Sequence, residues 1–168
     1  MSNFIPERRG AIISLATELF DDIIDIPSRD DDKTRHGIQI LVREVGNEKE
    51  NSIFESIYEP SEHAKFFAAE KAVRSAIYDD YTSQNSADTD LMQYAGCVMV
   101  TMNGSKYQAS VSGLKSEEDV FIAVYLLAYV LDLTVHYVLS HIRENRGILP
   151  NEFSDGEHYL HKMITQVS

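Results

Sequence analysis

The stretch DVFIAVYLLAYVLDLTVHYVL, residues 119 to 139, constrains this chain more than any other segment, because it is apolar for nearly its whole length. A helix apolar all round either spans a bilayer or lies in the core of a soluble fold. About 20 apolar residues cross a bilayer, and this run is near that length. On an insertion scale, roughly a dozen Leu, Ile, Val and Phe residues contribute about −5 kcal/mol, Asp132 near the centre returns about +3 kcal/mol, and Thr134 and His136 add to the cost. Insertion is marginal on that sum, so the rest of the chain has to decide.

The rest of the chain is built from short alternating runs and amphipathic helices. AGCVMVTMNGSKYQASVSG carries two alternating runs either side of Asn103-Gly104. That dipeptide accepts the positive φ angles of a type I′ turn, whose twist matches that of paired strands. GIQILVREV and NSIFESIYE also alternate, which predicts a second hairpin, with Ile38, Ile40 and Val42 on one side of a half-buried strand and Gln39 and Arg43 on the other. Residues 6 to 25 predict a helix with Ile12, Leu15, Leu19 and Ile23 on one stripe. Ser61 reads as the N-cap of a helix running to about Tyr81, with Phe66, Ala69, Val73, Ala76 and Ile77 facing inward. Ser116-Glu117-Glu118-Asp119 resembles a capping box that opens the apolar segment, and Gly147 and Pro150 close it near Arg146. A last short helix is expected from Ser154.

Helix, hairpin, helix, hairpin, long helix, short helix is an α+β order. We expect a largely antiparallel sheet of two hairpins packed with helices, a single domain over 1–150 and a C-terminal helical extension over 151–168. Such a sheet has apolar faces to cover and few helices to cover them, so 119–142 is expected as a core helix rather than a span. Its faces differ. Val120, Val124, Leu127, Leu131 and Val138 form an aliphatic stripe suited to the sheet, whereas Phe121, Tyr125, Ala128, Asp132, His136 and Leu139 form a second one. Tyr, Asp and His on an otherwise apolar helix suggest a subunit interface or a ligand pocket.

Charge narrows the partners. The formal net charge is −12, which disfavours nucleic acid and anionic membranes, since both need basic surface. The one cysteine, Cys97, allows no intrachain disulfide, and the first residues read as an amphipathic helix rather than a leader, so a cytoplasmic setting is expected.

No catalytic set emerges. Cys97 sits in a strand with no base beside it in sequence and reads as core. Glu157-His158-x-x-His161 has chelating spacing but no third ligand, and Asp30-Asp31-Asp32 lacks calcium-loop spacing, so no metal site is expected. His63-Ala64-Lys65 is not the deaminase motif and no PCxxC accompanies it. Asp132 and His136, four apart, read either as a carboxylate orienting a ligating histidine or as a satisfied polar pair inside an interface.

The second half resembles the small haem-binding, GlcG-like proteins. The resemblance rests on NGSKYQASVSG, with Val111, Ser112 and Gly113, on the acidic SEED that follows through Asp119, and on AEKAVRSA around Lys71 and Ala72. It covers about residues 10–131, and the chain differs from the family in carrying ADTDLMQYAG before the third strand and an extension at its end. The resemblance implies a profilin-like α+β sandwich, oligomerisation, and binding of haem or another small molecule; no family binding residue is carried over.

The expected function is therefore a non-catalytic, homo-oligomeric small-molecule-binding protein. His136, Asp132, Tyr125 and His63 are the candidate ligand residues, His136 or His63 the candidate haem ligand, and Tyr129 and Phe121 the candidate interface. The alternative is an acidic interaction module, an adaptor or immunity-like protein, that binds a basic protein.

Overall fold

The computed structural model describes residues 3–167. In chain order the elements are α1 (Phe4–Glu7), α2 (Arg9–Ile24), β1 (Gly37–Glu44), β2 (Ser52–Tyr58), α3 (Glu62–Tyr78), β3 (Cys97–Met102), β4 (Ser105–Ser112), α4 (Ser116–Val130), α5 (Val135–Glu144) and α6 (Tyr159–Val167). Both expected hairpins form. Asn103 and Gly104 take φ of 53° and 81°, and Met102 pairs with Ser105 across the two-residue turn. The strands join in the order β2-β1-β4-β3 with every neighbouring pair antiparallel, giving an α+β fold.

The two sheet faces are chemically different. Ile38, Ile40 and Val42 of β1, Val98 and Val100 of β3, and Ala109 and Val111 of β4 belong to the main hydrophobic core, as do buried residues of α2 and α4. The residues between them are Gln39, Met99, Gln108 and Ser110, and these are buried as well, under α3. β1 is thus covered on both faces along its middle, not half-buried. Gln108 Nε2 donates to the Ala72 carbonyl at 3.0 Å and Ser110 Oγ to the Ala68 carbonyl at 2.6 Å.

That polar sheet face reverses α3. The predicted inward stripe points to solvent: Phe66 is 63% exposed, Val73 49% and Ile77 73%. The buried face is instead Ala64, Ala68, Lys71, Ala72, Arg74 and Ser75. Small residues let the helix lie close to the sheet, and its polar groups meet polar strand residues rather than a second apolar layer.

The apolar segment is a core element, as expected, but it is two helices and not one. α4 and α5 meet at a bend of 110°, and no single helix among the described residues is long and apolar enough to cross a membrane. The break is local chemistry. Leu133 N donates to the Ala128 carbonyl at 2.9 Å and Asp132 N to the Tyr129 carbonyl at 3.2 Å, the paired bonds of a Schellman stop, with Asp132 in the left-handed region at φ 56°. Asp is one of the few non-glycine residues that tolerate that conformation. Thr134 then caps α5, its Oγ1 accepting from Tyr137 N at 3.0 Å.

The same stop ends α5. Gly147 N reaches the Ile142 carbonyl at 2.8 Å and Arg146 N the Arg143 carbonyl at 3.0 Å, so Arg146 takes the left-handed position expected of Gly147. Gly147 is needed one residue later, where a Cβ would lie 2.4 Å from Ile142 Cγ2. At the head of α4, Ser116 is the first helical residue rather than the cap, and Glu118 reaches back to Lys115 N at 3.2 Å. The last helix starts at Tyr159, after a 3-10 turn at Asn151–Phe153, and not at Ser154. Phe153, Leu160 and Ile164 are buried in the same hydrophobic core as the sheet.

Candidate functional site

The inverted helix α3 carries a lysine into the interior. Lys71 is 1% exposed and projects from the helix between Ala68 and Ala72. Its Nζ donates to the Val111 carbonyl at 2.8 Å and lies 3.4 Å from Asp119 Oδ2. Asp119, 3% exposed in the first turn of α4, accepts from Leu114 N through its other oxygen at 3.0 Å. The backbone is shaped around the ammonium. Gly96 holds φ of 139°, and a Cβ there would stand 2.5 Å from both Lys71 Nζ and the Val111 oxygen.

Burial acts on both members of this pair. It pushes the Lys71 ammonium below the ordinary lysine value, against the pull of Asp119. It pushes the Asp119 carboxyl up to about 6, against the pull of Lys71. Both groups are drawn toward neutrality, the signature of a site where charge is costly to bury.

Above this pair opens a cleft of about 390 Å³, bordered by the start of α3, the β4–α4 turn and the connector before β1. Four cations border it, Lys33, Arg35, Lys71 and Lys115, against one acid, Asp119. That balance is the reverse of the whole chain, which has 15 Lys and Arg against 27 Asp and Glu. Arg35 is held in place by Asp31, at 2.7 Å from its Nε, and by the Gly113 carbonyl at 3.2 Å. The Lys33 and Lys115 ammonium groups have no acid within salt-bridge distance among the described residues.

Two helix starts border the same space. Ser61 caps α3, accepting from Ala64 N at 3.1 Å, and Lys115 and Ser116 open α4. Helices of 17 and 15 residues thus present their positive ends there. Phe67 and Tyr94, edge to face at 5.1 Å, supply an apolar wall. Arg74 braces that wall from beneath, donating to the Tyr94 carbonyl at 2.6 Å and to the Ser86 carbonyl at 2.9 Å.

Of the four ligand residues expected from the sequence, only His63 borders this cleft, exposed on the first turn of α3 and stacked against Phe67 at 6.4 Å. Asp132 lies at the end of α4, 77% exposed along its side chain, and pairs with Arg8 at 3.1 Å. His136 is exposed in the first turn of α5, beyond the bend, so Asp132 and His136 are not neighbours on one turn of a continuous helix. Tyr125 is half-buried, packed on Phe121 at 4.6 Å, and burial pushes its hydroxyl up to about 12.

The interface residues also separate. Tyr129 is 40% exposed, whereas Phe121 is fully buried between Tyr125 and Phe153, so Phe121 is a core residue. Cys97 is buried, and desolvation pushes its thiol up to about 12. His158 and His161 are each engaged with backbone, by Leu160 N at 3.2 Å and the Phe153 carbonyl at 2.7 Å.

Sequence reasoning missed the cations because they come from three separate segments. One signal was present: Ala64, Ala68 and Ala72 recur every four residues, a small-residue stripe that marks a closely packed helix face, and Lys71 adjoins it. Compared with protein-family models, curated proteins and solved structures, the chain finds no match.

Proposed function

We propose that the protein binds a small anionic molecule, without catalysis, in the cleft between α3 and the β4–α4 turn. One observation carries this reading: a strongly acidic chain gathers Lys33, Arg35, Lys71 and Lys115 around one cleft where two helix starts meet. Ligand oxygens would meet the cations of the rim, and the body of the molecule would lie against Phe67 and Tyr94. Lys71 anchors the floor but is committed to Val111 and Asp119, which supports binding rather than nucleophilic chemistry. Haem falls in the same ligand class through its two carboxylates, and His63 on the rim is the residue placed to meet its iron. A reducing, cytoplasmic setting goes with this reading, since the one cysteine is buried with its thiol held protonated.

The test is a thermal-shift and calorimetry panel of inorganic phosphate, short dicarboxylates and haem. At least one is expected to bind, and Lys115→Glu is expected to weaken it about tenfold, equivalent to about 1.4 kcal/mol. For haem the readout is a Soret shift that His63→Ala abolishes. A panel with no binder, or binding indifferent to Lys33→Glu and Lys115→Glu, would remove the cleft from consideration.

A further inference from the structure

The outer face of α3 is apolar, and no described residue covers it. Phe66, Val73 and Ile77 occupy it with Ala69 and Ala76 between them, a spacing of large and small residues that matches a helix–helix seam. Leu91 and Met92, 66% and 53% exposed, border the same recess as Phe66. The helix turns its polar groups to the sheet and its apolar groups to water, the opposite of a helix that ends its packing within one chain.

We infer that this face is covered by a second copy of the chain, α3 against α3 across a two-fold axis. Area is the first argument. A large aromatic side chain covers about 150–250 Å². Five large side chains, Phe66, Val73, Ile77, Leu91 and Met92, each about half to three-quarters exposed, therefore offer on the order of 500 Å² per copy, within the range of the largest patches a monomer leaves bare. Two such patches bury about 1,000 Å², the area a specific interface has to reach.

Self-complementarity is the second argument. An antiparallel crossing centred between Ala69 and Val73 brings Phe66 of each copy toward Ile77 of the other, with the alanines as the holes. It also brings Lys65 and its ion-pair partner Glu62, near the start of the helix, toward Asp79, already paired with Lys106, and Asp80 at the end of the other, so these charges add little, and it opposes the two helix dipoles. The interface is isologous, as a two-fold dimer requires. The recess beside Phe66 shares His63 and Phe67 with the cleft, whereas Lys33, Arg35 and Lys115 lie outside it, so the inference does not rest on the binding reading.

Each copy carries a net charge of −12, so two copies repel at low salt and the apolar contact strengthens as salt screens them. An acidic chain on a basic protein partner would weaken with salt instead.

Sedimentation velocity on the full chain tests the inference. The 19.0 kDa chain is expected to run as a dimer at about twice that mass, tightening several-fold between 50 and 500 mM NaCl, both conditions on the order of the screening range. Phe66→Glu and Ile77→Glu are expected to give folded monomers with an unchanged circular dichroism spectrum, melting below wild type only by the stabilisation that dimerisation itself supplies, because both positions are exposed in one chain. Val73→Lys serves as a third, milder variant, and Tyr129→Glu on the far end of α4 is expected to leave the dimer intact. A monomeric wild-type chain at about 100 µM, or an oligomer whose mass these α3 substitutions leave unchanged, would overturn it.

Discussion

Lys71→Met is expected to lower the unfolding free energy by about 3–5 kcal/mol at pH 8, because it leaves the Asp119 carboxylate buried without its cation. Methionine keeps the length of the lysine stem, so the loss is electrostatic rather than a cavity. The pH dependence follows from the directions of the shifts. Asp119 is already raised to about 6, chiefly by burial, and Lys71 is what holds it down, so removing Lys71 raises it further. A carboxyl raised in the folded state contributes its full stability below its unfolded value near 3.8, and that contribution is lost as pH rises through the folded value. In the wild-type chain, Lys71 is depressed by burial, and a depressed group adds stability as pH rises toward its ordinary value. The Asp119 effect widens the gap between wild type and variant from pH 5 to pH 8, and the Lys71 effect has the same sign. Urea unfolding at the two pH values measures it, and an equal gap at both would show that the pair is not what the substitution disturbs. Adding Asp119→Asn removes the stranded charge while keeping an acceptor for Leu114 N, and is expected to restore most of the loss.

Glu118→Ala is expected to cost a comparable 3–5 kcal/mol, for a different reason. Glu118 is fully buried and serves four groups: Arg29 Nε at 2.7 Å, Arg29 Nη2 at 2.9 Å, the Lys115 amide at 3.2 Å and the Tyr159 hydroxyl. It therefore ties the start of α4 to the connector after α2 and to α6. Burial pushes its carboxyl up, but the bonds from Arg29 and Tyr159 outweigh that and hold it below the ordinary glutamate value. A depressed carboxyl contributes stability above its unfolded value, near 4.5, and loses it as pH falls through the folded value. Asp31, held far below its ordinary value by Arg35 despite some burial, contributes in the same direction. The measurable consequences are a fall in Tm on the order of 10 °C for a chain of this size, faster proteolysis between residues 154 and 158, and a flatter acid limb below about pH 4.5 in Glu118→Gln. A variant that melts as wild type and resists cleavage would mean α6 is held by its apolar residues Leu160 and Ile164 alone.

The parts of the fold legible in the sequence are those whose physics is local. Asn103-Gly104 sets a turn by its own backbone preferences, and the alternation on either side of it needs no partner to be read. The α2 stripe was legible for the same reason: Ile12, Leu19 and Ile23 are buried as expected, with Leu15 at the margin. The break after Val130 was local too, written in Asp132 and Thr134, yet the apolar residues around them masked it. An apolar run invites reading as one helix, whereas Asp in a left-handed position followed by a Thr cap is a stop and a start.

Along α3, periodicity alone does not say which side packs inward. Phe66, Ala69, Val73, Ala76 and Ile77 do form one face, but periodicity names a face and not what it faces. The answer depended on the sheet side beneath α3 being Gln39, Gln108 and Ser110, which only strand pairing brings together. The candidate site is of the same kind. His63 was singled out and borders the cleft; Lys33, Arg35, Lys71 and Lys115 were not, since they come from three stretches far apart in the chain.

Fold class, both hairpins and the core character of the 116–130 segment follow from residue spacing, because turn preference and alternation act over a few residues and survive in any context. The direction of α3, the bend between α4 and α5, the Lys71–Asp119 pair and the gathering of cations were decided by tertiary structure. Burial of charge has no sequence signature, since its cost depends on the dielectric and on a partner 48 positions away in the chain.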